Sequence, residues 1–220
     1  MSAAGASPER GRQRRGEELR RHILAVAKDV FLETGYERAS MDAVAARAGT
    51  SKRSLYAHFE SKDRLFLAVM EWVRELYLGR LKTPDAYAED PAEAVTLFCG
   101  RFQQLMAWEP QVRTCRLCIA EAERLPGSSS AYFDAIFAST RERLTGYLAE
   151  HHIVDAAALA EDLLARTVLP RLFRTLLNVE APSKDDPDEQ ALSEAVDLPA
   201  IRRLVSAALQ GGQATASSTG

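Results

Sequence analysis

The sequence predicts an all-α protein: three short helices, one long connecting helix and about five further helices. Two observations carry this. Apolar residues recur at i, i+3, i+4 and i+7 in almost every segment, and no strand-like alternation persists. Ser, Gly and Pro stand where the periodic segments begin or end, as helix caps and stops do. With 220 residues, 46% of them hydrophobic, the chain can bury one substantial core or two modest ones.

The elements follow in order. In "EELRRHILAVAKDVFLETGY", Ile23, Leu24, Ala27, Val30 and Phe31 share a helical face, and Gly35 supplies the stop. Ser40 is the expected N-cap of a helix of barely two turns, with Val44 and Ala48 inward and Gly49 at its end. Ser51 caps "KRSLYAHF". Ser61 caps a long helix over 62–81, whose buried stripe reads Leu65, Phe66, Val69, Trp72, Val73 and Leu76. After "KTPDAYAEDP", the segment "PAEAVTLFCGRFQQLMA" puts Val95, Phe98, Cys99, Phe102, Leu105 and Met106 on one side. "PQVRTCRLCIAEAERLP" lies between Pro110 and Pro126. "SSSAYFDAIFASTRERLTGYLAEHH" carries Phe133, Ile136, Phe137, Leu144 and Leu148 on its apolar side. "DAAALAEDLLARTVLPRLFRTLLN" is apolar around much of its circumference, with a kink expected at Pro170. An acidic, Pro-containing stretch precedes the last helix, "LPAIRRLVSAALQ". The expected organisation is a disordered basic arm over 1–16, a three-helix unit over 17–64, a helical body over 65–210 and a disordered tail over 211–220.

Composition excludes several classes. No apolar run reaches the ~20 residues that span a bilayer, and the N-terminal arginines have no apolar block behind them. Neither a membrane span nor a secretory signal is expected. Three cysteines, an odd number, argue against a disulfide framework and fit a reducing, cytoplasmic setting. The net charge of −3 conceals an asymmetry: residues 1–64 hold 13 Lys+Arg against 9 Asp+Glu, and the remainder 15 against 22. Polyanion contact is therefore expected in the first third of the chain. No nucleotide-binding loop, metal-ligand cluster or nucleophile–base pair stands at catalytic spacing, so no enzyme, cofactor or metal is expected.

Two short helices joined across 48–51 have the dimensions of a helix-turn-helix, whose second helix enters the DNA major groove. On a helical wheel of "SKRSLYAHF", Leu55 and Phe59 turn inward. Arg53 and Ala57 lie nearly opposite, flanked by Ser54 and His58 on one side and Lys52 and Tyr56 on the other. Small Ala57 lets that face approach another surface. Thr50 and Ser51 leave free backbone N–H groups at the positive end of the helix, suited to a phosphate, and Lys62 repeats the arrangement one helix later. Arg53 is the candidate for bidentate reading of guanine, worth ~1–3 kcal/mol of discrimination. The arginines of the arm, Arg10, Arg12, Arg14 and Arg15, either enter a minor groove or merely solubilise the chain end.

The stretch "GYERASMDAVAARAGTSKRSLYAHFESKDRLFLAVM" resembles the DNA-binding domain of the tetracycline-repressor (TetR) family of bacterial transcription regulators. The shared positions are Gly35-Tyr36, Ser40, Val44-Ala45, Gly49-x-Ser51, Leu55-Tyr56-x-His58-Phe59, Lys62 and Leu65-Phe66. The resemblance implies that Lys52, Arg53 and Ser54 face base edges. It implies that Ser40, Ser51, Tyr56, His58 and Lys62 hold phosphates of double-stranded operator DNA. Lys52 and Arg53 occupy positions that vary in the family, so no operator sequence follows.

Two reading units need pairing, and the last two helices are the candidates for a homodimeric four-helix bundle; they could equally be core helices of a monomer. Phe98, Phe102, Met106, Trp108, Cys115, Cys118, Ile119, Tyr132, Phe133 and Phe137 suit either an apolar ligand pocket or an ordinary core. The resemblance favours the pocket and implies a regulator, most simply a repressor, released by a small apolar effector. Cys115-x-x-Cys118 reads as buried structural thiols, with a redox trigger as the alternative; a metal site would need His151 and His152 as well. A DNA-binding protein with no effector is the other alternative.

Overall fold

A computed structural model of the chain describes residues 8–187 and 191–217. Its helices are α1 (Pro8–Arg38), α2 (Met41–Arg47), α3 (Lys52–His58), α4 (Lys62–Arg80), α5 (Pro91–Ala107), α6 (Glu109–Ala120), α7 (Pro126–Phe133), α8 (Ser139–Glu150), α9 (Ala156–Leu176) and α10 (Leu198–Ser217). Asp134–Ala138 form a π-helical turn that joins α7 to α8.

The first three connections are written locally. Helices α2, α3 and α4 each start on a serine whose Oγ accepts the backbone N–H three residues on. The distances are 3.1 Å for Ser40–Ala43, 3.1 Å for Ser51–Ser54 and 3.2 Å for Ser61–Arg64. Gly35 breaks α1 at φ +76, which frees the carbonyls of its last turn. Gly49 (φ +63) closes α2: its own N–H reaches Ala46 O, and Thr50 N–H reaches Ala45 O, the paired bonds of a Schellman motif. Helix α1 packs on α2 and α4. Phe31, Tyr36 and Phe66 meet ring to ring at 5.1–5.8 Å in the core of this unit.

Helix α5 is the centre of the body and packs on α6, α9 and α10. Val95, Phe98, Cys99, Phe102, Leu105 and Met106 are all buried, as their spacing predicts. Gly100 lets the chain before α10 come close, since a Cβ there would stand 3.1 Å from Leu192 Cδ1. Between α9 and α10 the chain crosses the α5–α6 junction: Ser183 N–H donates to Ala107 O at 2.9 Å and Glu109 N–H to Ser183 O at 2.7 Å. Asp186 pairs with Arg80 at the far end of α4.

Four features of the helices bear on what the periodicity suggests. Helix α1 runs from Pro8, so it includes part of the stretch expected as an arm. Residues 1–7 and the side chains of Arg10, Arg12 and Arg14 lie outside the described residues. At the other end α10 continues through 211–217, with 218–220 outside the described residues. Helix α9 passes through Pro170 unbroken. Leu76 is 47% exposed, and Met70 and Tyr77 take the buried places, since a 3.6-residue period carries the stripe from Phe66 through Val69 and Met70 to Val73 and Tyr77.

Candidate nucleic-acid interface and effector cavity

Helix α3 divides its residues cleanly. Leu55 and Phe59 are buried against the three-helix core, while Lys52, Arg53, Tyr56 and Ala57 are exposed. Ser54 and His58 are half-buried on the flank, and Thr50 is half-buried in the turn. Arg53 makes no ion pair or hydrogen bond among the described residues. Lys52 is engaged: its Nζ lies 2.7 Å from Asp42 on α2, which raises the lysine pKa. The hydroxyls of Ser40 and Ser51 accept cap bonds, so each retains its O–H to donate to a phosphate.

Lys62 is engaged within the fold. Its ammonium donates to the carbonyls of Tyr36 at 2.9 Å, Glu37 at 3.2 Å and Ala39 at 3.0 Å. In the free chain these three bonds tie the ammonium to the end of α1. The cation also sits over the Tyr36 ring. Tyr36, whose ring is buried, donates its hydroxyl to Asp63 at the start of α4, and burial and that bond raise its pKa. Sequence reasoning missed Asp42 and Tyr36 as partners. The acid in the first turn of α2 was a readable signal; the ring was placed only as part of a motif.

The ten residues assigned to a pocket separate into groups. Phe98, Met106, Cys115, Cys118 and Tyr132 are core. Trp108 lies under Arg80 at the rim of a narrow crevice of about 90 Å³, and Ile119 is 61% exposed. Phe102, Phe133 and Phe137 line a cavity of about 290 Å³ between α5, the π-helical turn, α8 and α9. Its opposite wall is Leu164, Ala165, Val168 and Leu169, from the helix that the sequence assigned to pairing. Arg141 and Glu161, 3.7 Å apart, also line it. The π-helical turn sets the rings of Phe133 and Phe137 in a stack with centroids 5.6 Å apart.

The cysteines are free thiols, and all three are buried. Burial pushes Cys118 up to about 12 and raises Cys115. Cys118 Sγ lies 3.5 Å from Met70 Sδ. The thiolate that oxidation requires is thereby suppressed, which counts against a redox trigger. Among the described residues no group of three or more His, Cys, Asp or Glu could hold a metal, and no helix is long and apolar enough to cross a membrane.

Two family descriptions match the chain and together account for most of it. Residues 23–69 match "Bacterial regulatory proteins, tetR family", and residues 93–200 match "AefR-like transcriptional repressor, C-terminal domain". The HTH-type transcriptional activator FasR of Mycolicibacterium smegmatis is 47% identical over 62 residues, 28% of this chain and 28% of its own length. The uncharacterized HTH-type transcriptional regulator Rv1556 of Mycobacterium tuberculosis is 27% identical over 190 residues, 82% of this chain and 87% of its own. Among solved structures, the Flavonoid-responsive Regulator FrrA superposes with a TM-score of 0.70 at 24% identity, covering 90% of this chain and 97% of its own. A TetR-family transcriptional regulator from Mesorhizobium loti gives 0.68 at 19% identity, covering 91% and 98%. At these identities the structures share the fold.

Proposed function

The chain belongs to the TetR family of bacterial transcriptional regulators, and from that premise we propose a cytoplasmic homodimeric repressor of palindromic operator DNA, released by a small, largely apolar effector. The observation that carries the DNA reading is the division of α3. A seven-residue helix with Leu55 buried and Lys52, Arg53, Tyr56 and Ala57 all exposed is shaped to enter a groove. Arg53 reads base edges. Ser40, Ser51 and Tyr56 hold phosphates, with Ser54, His58 and Thr50 at the margin.

Pairing is supported by the face of α9 that the body leaves uncovered, where Phe173 is 57% and Leu177 73% exposed, with α10 packed alongside. Two copies joined there as a four-helix bundle would present two reading heads about one DNA turn apart, ~34–36 Å. The cavity of Phe102, Phe133 and Phe137 supports an apolar effector, and a coupling of ~1–3 kcal/mol would make it a switch. Repression is favoured by the description matched over residues 93–200; the match to the activator FasR covers only 62 residues.

Selection from a random duplex pool tests the core of this reading, and a palindrome is expected. On the selected duplex, replacing Arg53 and Tyr56 by Ala should leave the fold intact and abolish retardation; undiminished retardation overturns it. A thermal-shift screen of apolar compounds separates a sensor, whose ligands raise the melting temperature and weaken DNA binding, from a DNA-binding protein without an effector.

A further inference from the structure

The DNA-reading head joins the body through the continuous helix α4 and through the packing of α1 on α6, and beside that packing one cation of the body lies on a ring of the head. Just beyond α6 the chain makes a compact turn: Arg124 N–H and Leu125 N–H both donate to Glu121 O, at 3.1 and 2.7 Å. Glu121 is buried, and its carboxylate holds the Arg124 guanidinium at 3.0 Å. That guanidinium lies over the ring of Tyr36, 4.0 Å from its centroid. The contact is attractive because the ring face is negative.

Both partners are fixed. Helix α6 is pinned to the end of α9 by Arg116, which donates to Leu176 O at 3.0 Å and Thr175 O at 2.5 Å. On the head, the Tyr36 ring packs on Phe31 and Phe66, its hydroxyl bonds Asp63, and Lys62 holds its carbonyl. Ser40, the cap of α2, follows four residues later. A head held by one helix can twist about that helix; an off-axis second contact removes the twist. Helices α6 and α1 also pack on each other, and a movement of one past the other displaces this contact.

We propose that Arg124, held by Glu121 on Tyr36, is the positioning residue that fixes the orientation of each reading head on the body, and so sets the half-site spacing the dimer accepts. This rests on the homodimeric DNA reading above. It differs from a lever acting through α4 alone, in which Arg124 would be dispensable.

The test compares binding, by fluorescence anisotropy, to the selected palindrome and to the same half-sites moved one base pair closer or farther. Wild type should prefer its own spacing by about tenfold or more. Arg124→Ala and Arg124→Gln should compress that preference to within about threefold, leaving binding to a single half-site unchanged; Arg124→Lys should fall between. A change in stability alone would not alter spacing preference. Arg124→Ala with the wild-type preference overturns the joint and leaves the dimeric reading standing. A wild-type protein indifferent to spacing overturns the dimeric reading, and the joint with it.

Discussion

The ammonium of Lys62 stands 4.3 Å from the centre of the Tyr36 ring and donates to the carbonyl oxygen of that same residue at 2.9 Å. With Glu37 and Ala39 also bonded, the lysine closes the end of α1 where Gly35 has broken its hydrogen-bond ladder. It therefore acts on stability. Lys62→Met should lower the unfolding free energy by about 1.5–3 kcal/mol, the usual worth of charged hydrogen bonds to backbone, read by denaturant titration. The slope of log affinity against log salt should not change. A lost phosphate contact would reduce it by about 0.9, and that outcome would restore the family-implied role.

Asp42, exposed on α2, holds Lys52 in the free protein. Reaching a duplex through Lys52 requires leaving that carboxylate, whose charge also repels a polyanion. Asp42→Asn should tighten binding to every sequence several-fold at low salt and steepen the salt slope by about 0.9, because one more cation becomes available. The pair is exposed, so the melting temperature should stay put. Unchanged affinity would mean that Lys52 makes no contact with the duplex.

Cys118 gives a pH signature. Burial pushes its thiol up to about 12, from an ordinary 9.0, so the folded state holds the proton more tightly than the unfolded chain. Its contribution is complete below pH 9.0 and is lost as pH rises from there towards about 12. Cys118→Ala should make the fall of stability over this window shallower, by up to about 1.4 kcal/mol per pH unit. Urea titrations at several alkaline pH values measure it. Equal slopes in the two proteins would mean that the thiol is not kept neutral by the fold.

How far the sequence could be read followed from how local each cause was. The caps Ser40, Ser51 and Ser61 act within three residues, and Gly49 answers to its own φ, so α2, α3 and the start of α4 were legible. The intramolecular partners of Lys62, 23 to 26 residues away, were not legible because they depend on where α1 breaks. The cavity was half-legible. Phe102 was on the right face, but the opposite wall comes from α9, and the π-helical turn shifts the register so that Phe133 lies 58% exposed instead of buried beside Ile136. Arg124 shows in the sequence only its i,i+3 pairing with Glu121; its place on Tyr36 exists only once α6 has been laid against α1.

The uncovered face of α9 gives the sharpest test of assembly. Phe173 and Leu177 lie one turn apart and largely exposed, so replacing them costs the isolated fold little. In a two-fold interface each side chain faces the same region of the other copy, and a glutamate would meet apolar surface and its own mate. Phe173→Glu with Leu177→Glu should therefore give a monomer by sedimentation velocity, with an unchanged far-ultraviolet spectrum. Affinity for a full palindrome should fall to that for a single half-site, because the two heads no longer bind as one unit. Val154→Glu, at an equally exposed apolar residue before α9, is the control and should remain dimeric. A double variant that sediments as wild type would place the pairing surface elsewhere, since two buried charges at an interface cost more than a dimer of ordinary affinity tolerates.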